Sequence, residues 1–174
     1  PMAEQIIQVP ENLSVKFENN ILYVRGPLGQ VSKDFSKIKV NISVNSNKIK
    51  LVSYSDKRKD VAVLGTAASI IKNMFVGVTR GYTYKLKIVS AHFPVSIKVK
   101  GKEVHIENFY GEKHPRIAKI VGDCQVTVEG DDVIVRGISK EDVGQTAANI
   151  EKATVVKRKD QRVFLDGVYL YERS

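Results

Sequence analysis

GTAASI (65–70) and QTAANI (145–150) stand eighty residues apart in this chain, each just after a charged stretch suited to starting a helix. One five-residue echo carries little weight in a sequence of 174 residues. It gains weight if other segments repeat in the same order at a similar distance, and they do. LSVKF (13–17) is answered by VSIKV (95–99), an offset of 82. The alternation of ILYVRGPLG (21–29) returns in EVHIENFYG (103–111) at the same 82, with Gly29 falling on Gly111. ISVNSNKIKL (42–51) is matched by VTVEGDDVIV (126–135) at 84. Four ordered matches at similar offsets argue for internal duplication, and the period is too long for a solenoid repeat. The chain reads as a tandem pair of domains.

Each copy has the same plan. Val15-Lys16-Phe17 and Leu22-Tyr23-Val24 read as half-buried strands folded at Glu18-Asn19-Asn20, and Gly26-Pro27-Leu28-Gly29 turns the chain again. Ile42, Val44, Ile49 and Leu51 form a second alternating pair around Asn45-Ser46-Asn47, with Gly130-Asp131-Asp132 at the equivalent corner. One helix closes each copy. In the first, Asp60 is the expected N-cap, Leu64, Ala67, Ala68 and Ile71 share a face, and Gly77 is placed to end the helix. In the second, Ser139 and Asp142 have capping-box spacing, and Val143, Ala147, Ile150 and Thr154 line one face. Small residues on these faces let a helix lie close to a sheet. The fold class is α+β: two tandem duplicated small domains, each a β-sheet of hairpins packed on one α-helix. An N-terminal repeat domain spans 1–81, and a C-terminal repeat domain with a basic tail spans 82–174. Tyr82 to Ser90 reads as a strand within the joint between the repeats.

Composition narrows the function. With 43% hydrophobic and 27% charged residues the chain has the balance of a soluble globular protein. Its apolar runs fall short of the roughly eighteen residues expected of a membrane span. The start, PMAEQIIQVPENL, lacks the features of a secretory signal. A single cysteine, Cys124, forms no intrachain disulfide and fits a reducing cytosolic setting. The sharpest total is a net charge of +9, which favours a polyanionic partner, nucleic acid before membrane.

Where the charge sits matters more than its sum. Before residue 90 most lysines, such as Lys37, Lys39, Lys48, Lys50, Lys85 and Lys87, alternate with apolar residues, as the polar face of a half-buried strand does. The second copy is segregated instead. Residues 123–142 hold six acidic and two basic side chains, whereas 152–162 hold five basic ones and a single acid, Asp160. That tail sets Lys157, Arg158, Lys159 and Arg162 beside Phe164, Tyr169 and Tyr171, a mixture suited to phosphate contact with stacking. Phe164 reads as the anchor that docks the tail, and Asp166-Gly167 as a turn that redirects it.

Signals for catalysis are weak. His92, His105 and His114 share no ligand spacing with Cys124, and no C-x-x-C pair is present, so no metal is expected. No serine occupies a G-x-S-x-G elbow, and Gly26-Pro27-Leu28-Gly29 lacks the Gly-Lys-Ser/Thr of a phosphate loop. Three readings stay open on the residues alone: an RNA-binding structural protein, a duplicated protein-interaction scaffold with an incidental basic surface, and a hydrolase of unrecognised spacing.

The duplicated unit, the joint GVTRGYTYKLKIVSAHFP (77–94) and the ending RVFLDGVYLYER (162–173) together resemble the large-subunit ribosomal protein L-six family, closest in its archaeal and eukaryotic branch. The resemblance covers essentially the whole chain. Bacterial members end in a glycine- and lysine-rich tail that this sequence lacks. The resemblance implies a structural ribosomal protein, neither an enzyme nor a cofactor carrier, located in the cytoplasm in the large ribosomal subunit. Its implied partners are large-subunit ribosomal RNA and neighbouring ribosomal proteins, with translation factors nearby and no membrane. It further implies that the second domain makes most of the RNA contacts, near the sarcin–ricin loop and the factor-binding side. Carried onto this sequence, it points to Arg162, Asp166, Gly167 and Tyr169, preceded by Lys157, Arg158 and Lys159. The loop with Gly111, Lys113, His114 and Arg116 joins them through its charge and expected exposure.

Overall fold

Tight turns organise the first copy. Asn19 and Asn20 both adopt left-handed backbone (φ 53° and 62°), the pair of angles that a two-residue hairpin turn demands and that asparagine tolerates. Ser46 does the same (φ 56°) at the next hairpin. The structure, a computed structural model, describes residues 2–90, 94–155 and 166–174. By its contacts the chain divides into two units, Pro1–Gly81 and Tyr82–Ser174.

The first unit runs β1 (Glu4–Gln8), β2 (Ser14–Glu18), β3 (Ile21–Gly26), β4 (Gly29–Asp34), β5 (Val40–Asn45), β6 (Lys48–Ser53) and α1 (Arg58–Thr79). Two three-stranded antiparallel sheets result, ordered β2-β3-β4 and β1-β6-β5. Period-two alternation decides which residues face inward. Leu22 and Val24 of β3, with Ile49 and Leu51 of β6, are wholly buried against α1, which contributes Leu64, Ala67, Ala68, Ile71, Met74, Phe75 and Val78. Each large apolar side chain so buried contributes roughly 1.5–3 kcal/mol.

Three details of this unit depart from the sequence reading. Gly26 to Gly29 turns the chain where the sequence placed the turn, with Leu28 N–H donating to Val78 O at 2.9 Å, but it leads straight into a strand absent from that reading, β4. Asp60 is not the N-cap of α1. That position falls to Lys57, while Asp60 lies in the first turn and accepts from the Ser55 hydroxyl. Gly77 does not end the helix either, because it is buried inside α1. Gly81 carries the left-handed angle (φ 75°) just past the helix, and its N–H donates to Val76 O at 3.2 Å. α1 is also long and apolar enough by length and composition to cross a membrane, contrary to the expectation from run length, yet its apolar face forms the core under β3 and β6.

The second unit runs β7 (Tyr82–Val89), β8 (Ser96–Lys100), β9 (Glu103–Glu107), β10 (Arg116–Lys119), β11 (Gln125–Glu129), β12 (Asp132–Gly137), α2 (Lys140–Ala153) and β13 (Gly167–Arg173), with a short 3₁₀ turn at Phe109–Gly111. Its sheets are β8-β9-β10 and β11-β12-β7-β13. The plan of the first unit therefore recurs, with β7 in the place of β1 and one extra strand, β13, on the outer side of β7. The segment from Tyr82 belongs to the sheet and is not a joint. Ser139 caps α2 by accepting from Asp142 N–H at 3.3 Å, as its spacing foretold. Glu141 and Asp142 in the first turn and Lys152 in the last complement the helix dipole.

Burial also corrects the echo that revealed the duplication. Leu64, Ala67, Ala68 and Ile71 are buried on α1, and Val143, Thr146, Ala147 and Ile150 are buried on α2, a constant offset of 79. Thr66 is exposed whereas Thr146 is buried, so the matched strings lie one residue out of structural register. What repeats is the helix face, not the string.

Candidate nucleic-acid interface

Arg116 organises one end of the second unit. Its Nε and Nη2 donate to the two carboxylate oxygens of Glu112, each at 2.9 Å, a bidentate pair that holds the planar guanidinium in one orientation. Its remaining nitrogen, Nη1, donates to Ala153 O at 3.0 Å and Val155 O at 3.1 Å, satisfying carbonyls at the C-terminus of α2. The guanidinium carbon stands 4.5 Å from the centre of the buried Phe109 ring. Glu112, hydrogen-bonded to Arg116, keeps a carboxyl below the ordinary glutamate range, and Arg116 is held correspondingly higher.

The loop between β9 and β10 is shaped by its backbone. Asn108, Tyr110 and Gly111 are all left-handed (φ 61°, 52° and 72°), and the loop closes on itself through Gly111 N–H to Asn108 O and Glu112 N–H to Phe109 O. Phe109 points into the core and meets Tyr110 edge-on at 4.8 Å. Lys113 and His114 are left at the exposed crest and bond no partner among the described residues.

The same loop reaches the start of β13. Tyr110 Oη accepts from Asp166 N–H at 3.1 Å. Nearby, Thr154 Oγ1 accepts from Val168 N–H at 3.2 Å, and Glu151 Oε2 from Leu170 N–H at 3.0 Å. Arg116, the first residue of β10, thus holds carbonyls just before 156–165, and Tyr110 of the loop holds the residue just after. Of the residues expected to meet RNA, Lys157, Arg158, Lys159 and Arg162 lie outside the described residues, as does the expected anchor Phe164.

The remaining expected residues divide by burial. Tyr169 is 40% exposed, and burial of part of its ring raises its phenol above the ordinary range, with Tyr110 and Asp166 adding to the effect. Asp166 is fully buried, so it offers no surface to a phosphate. Gly167 opens β13, paired with Val89, and is not part of a turn. A Cβ there would stand 3.0 Å from the Tyr169 ring, so glycine lets that ring lie against the backbone. Arg116, half-buried and fully engaged, belongs with this internal framework, whereas Gly111, Lys113 and His114 stand at the surface. Tyr171, another aromatic of the tail, donates to Asp132 at 2.7 Å, and Lys87 pairs with the same carboxylate at 2.8 Å. That arrangement rivets β13 to β7 and β12, and it lowers the Asp132 carboxyl, chiefly through Lys87.

Two lysines outside the expected set join the exposed group. Lys119 and Lys152 line a groove of about 330 Å³ with Ile117, Asn149 and Ala153, and Asn149 Nδ2 bridges it by donating to Lys119 O at 3.0 Å. The signal was present in the alternation of β10, which turns Ile117 and Lys119 to one face. It needed the pairing of β10 with α2 to become legible. Cations therefore gather at the C-terminal end of α2, whereas Asp123, Glu141 and Asp142 lie towards its N-terminal end. Such an arrangement can hold phosphate groups along a groove and is poorly suited to acid–base chemistry.

The comparisons agree with the duplicated plan. The family described as Ribosomal protein L6 matches residues 9–81 and 93–167, one segment per unit. The large ribosomal subunit protein uL6 of Methanobrevibacter smithii is 47% identical over 168 residues, covering 97% of this chain and 94% of that protein. The protein of the same name from Staphylothermus marinus is 48% identical over 178 residues, covering 99% and 95%. That from Archaeoglobus fulgidus is 46% identical over 175 residues, covering 98% and 89%.

Proposed function

This chain belongs to the ribosomal protein L6 family and is a structural constituent of the large ribosomal subunit, not an enzyme, and on that footing we propose that it binds large-subunit ribosomal RNA mainly through its second unit. The contact surface combines Gly111, Lys113, His114 and Tyr169 with Lys157, Arg158, Lys159 and Arg162, extended along the groove by Lys119 and Lys152. Asp166, Gly167 and Arg116 position this surface from beneath. The place on the subunit is the neighbourhood of the sarcin–ricin loop and the factor-binding region, an assignment drawn from the family resemblance, with translation factors as neighbours. The first unit, despite its fourteen basic and six acidic residues before position 90, faces neighbouring ribosomal proteins.

One observation supports this reading most strongly. The loop that exposes Lys113 and His114, with Arg116 at the start of β10, also holds both flanks of 156–165, through Arg116 on one side and Tyr110 on the other. Lys113 and His114 thus stand on backbone fixed by these bonds, so less freedom is lost on binding and more of their phosphate attraction is realised as affinity. In the first unit, by contrast, Lys16 pairs with Glu18 at 2.9 Å and Lys50 with Glu4 at 3.3 Å, as cations on the solvent face of a sheet do. Binding of this kind follows phosphate positions and the shallow minor groove of A-form RNA.

The test is co-sedimentation of the full chain with large ribosomal subunits, together with titration of large-subunit ribosomal RNA fragments. Log affinity is expected to fall linearly with log salt. Equal affinity for an unrelated RNA duplex would remove the site-specific claim, and a flat salt response would remove the phosphate mechanism.

A further inference from the structure

The two units treat one strand differently. In the second, β7 is flanked by β12 on one side and β13 on the other, and Thr83 exchanges both backbone hydrogen bonds with Ser174 at 2.8 Å. Antiparallel pairing alternates, so Thr83, Lys85 and Lys87 all turn their backbone groups to β13. In the first unit β1 takes the place of β7, with Ile7 opposite Ile49 where Leu86 lies opposite Val133. Val9 N–H donates to Asn47 O at 2.7 Å and Ser53 N–H to Ala3 O at 2.9 Å, which fixes the odd-numbered residues of β1 as those bonded to β6. Glu4, Ile6 and Gln8 then point their N–H and C=O groups outward, where no strand pairs with them among the described residues.

We propose that the outer edge of β1 is a docking site for an extended, acidic segment of another protein, which adds to the sheet antiparallel to β1 as β13 adds to β7. Three observations support this occupant. First, the open row alternates donors and acceptors at the spacing of a β-strand, which a polypeptide backbone matches residue for residue. Second, apolar surface runs up to the edge on both faces. Ile6 is 57% exposed on the outer face, and Ile7 and Val9 carry the core to the rim of the inner one. In the second unit this inner rim is extended by Val168, buried beside Ile88. Third, the charges are inverted. At the helical position where α2 places Glu151, the acceptor for Leu170 N–H, the offset of 79 places the exposed Lys72 of α1. Lys48 lies beside Gln8 on the adjacent strand, whereas Lys50, beside Ile6, already pairs with Glu4 at 3.3 Å, which leaves Lys48 and Lys72 to meet an acidic side chain. A segment alternating acidic and apolar residues complements this rim. An unprotected edge of this kind is otherwise an aggregation hazard.

The test begins with assembled large ribosomal subunits carrying the photo-crosslinker benzoylphenylalanine in place of Ile6. The expected adduct is with a segment of another protein that alternates acidic and apolar residues. An adduct with RNA or with a second copy of this chain, or no adduct in subunits that contain the labelled protein, overturns the proposal. A synthetic peptide with the crosslinked sequence is then titrated onto the full chain and onto Ile6→Pro. Proline at this position deletes an outward N–H and no bond to β6, so the thermal midpoint should hold while peptide affinity falls on the order of tenfold. Unchanged peptide affinity would overturn strand addition. RNA binding by Ile6→Pro, measured in parallel, should match the parent protein, so a failure here is distinguishable from failure of the RNA-binding reading.

Discussion

In the first unit β1 closes its sheet, whereas in the second its counterpart β7 is covered by β13, and the chain entering β13 comes from the most basic stretch of the sequence. Beneath that difference the cores coincide. α1 and α2 bury the same four helical positions, at a fixed offset of 79, against sheets of the same strand order. Duplication has kept what holds each unit together and varied what each unit shows. The proposed interface lies where the copies part, after α2, and not in the helix faces that they share.

The largest effects are expected in the cores. Ile71→Ala and Ile150→Ala each remove a wholly buried side chain from equivalent positions and should each cost about 2–5 kcal/mol in its own unit. Hydrogen exchange of the two helices would read this. Markedly unequal losses would mean that the two cores are not packed alike.

Arg116→Ala should cost roughly 2 kcal/mol, confined to the second unit, because it strands carbonyls at the end of α2 and frees Glu112. Amides near Thr154 and Asp166 should exchange faster while those of α1 do not change. RNA affinity should fall as well, although the guanidinium itself is half-buried. If affinity fell with no change in exchange, Arg116 would be a direct contact.

Smaller still, Gly81→Ala should cost about 1 kcal/mol by forcing a Cβ into left-handed backbone. Gly77, inside α1, has no such requirement and serves as the comparison. No loss at Gly81 would remove its role as the residue that ends the helix.

The mildest effect is with pH. The carboxyl of Glu112 is depressed in the folded chain by its bond to Arg116. Its contribution is therefore full above the ordinary glutamate range and is lost as pH falls through the depressed value. The Arg116 Nε–H resonance should shift in that acidic window as its carboxylate acceptor is protonated. Glu112→Gln should abolish the transition.

Local signals in the sequence carried most of the fold. The Asn19-Asn20 turn, the Ser139 cap and the alternation of Leu22 with Val24 each act within a few residues, and each is where the sequence placed it. The errors came from choices that local chemistry leaves open. Gly77 and Gly81 are equally good helix stops by type, and only packing over Val76 to Thr79 selects the second. β13 was hidden because its pairing with β7 joins residues about eighty apart, Tyr169 with Lys87 among them. The candidate site was legible as charge but not as architecture. Nothing near Tyr110 in sequence says that its hydroxyl meets Asp166, and nothing near Arg116 says that it caps α2. Both contacts turn residues that look like ligand contacts into the frame that holds them.

RNA binding is proposed to reside at the end of the second unit and not in the more basic first unit. Charge reversal of Lys157, Arg158 and Lys159 to Glu, set against reversal of Lys37, Lys39 and Lys48, tests it on ribosomal RNA fragments across a salt series. The first triple variant should keep its thermal midpoint, lose affinity by on the order of a hundredfold or more, and flatten the log–log salt slope by about three units. The second should leave the slope close to that of the parent protein. Equal losses from both triples, or a larger loss from the first-unit triple, would contradict the account.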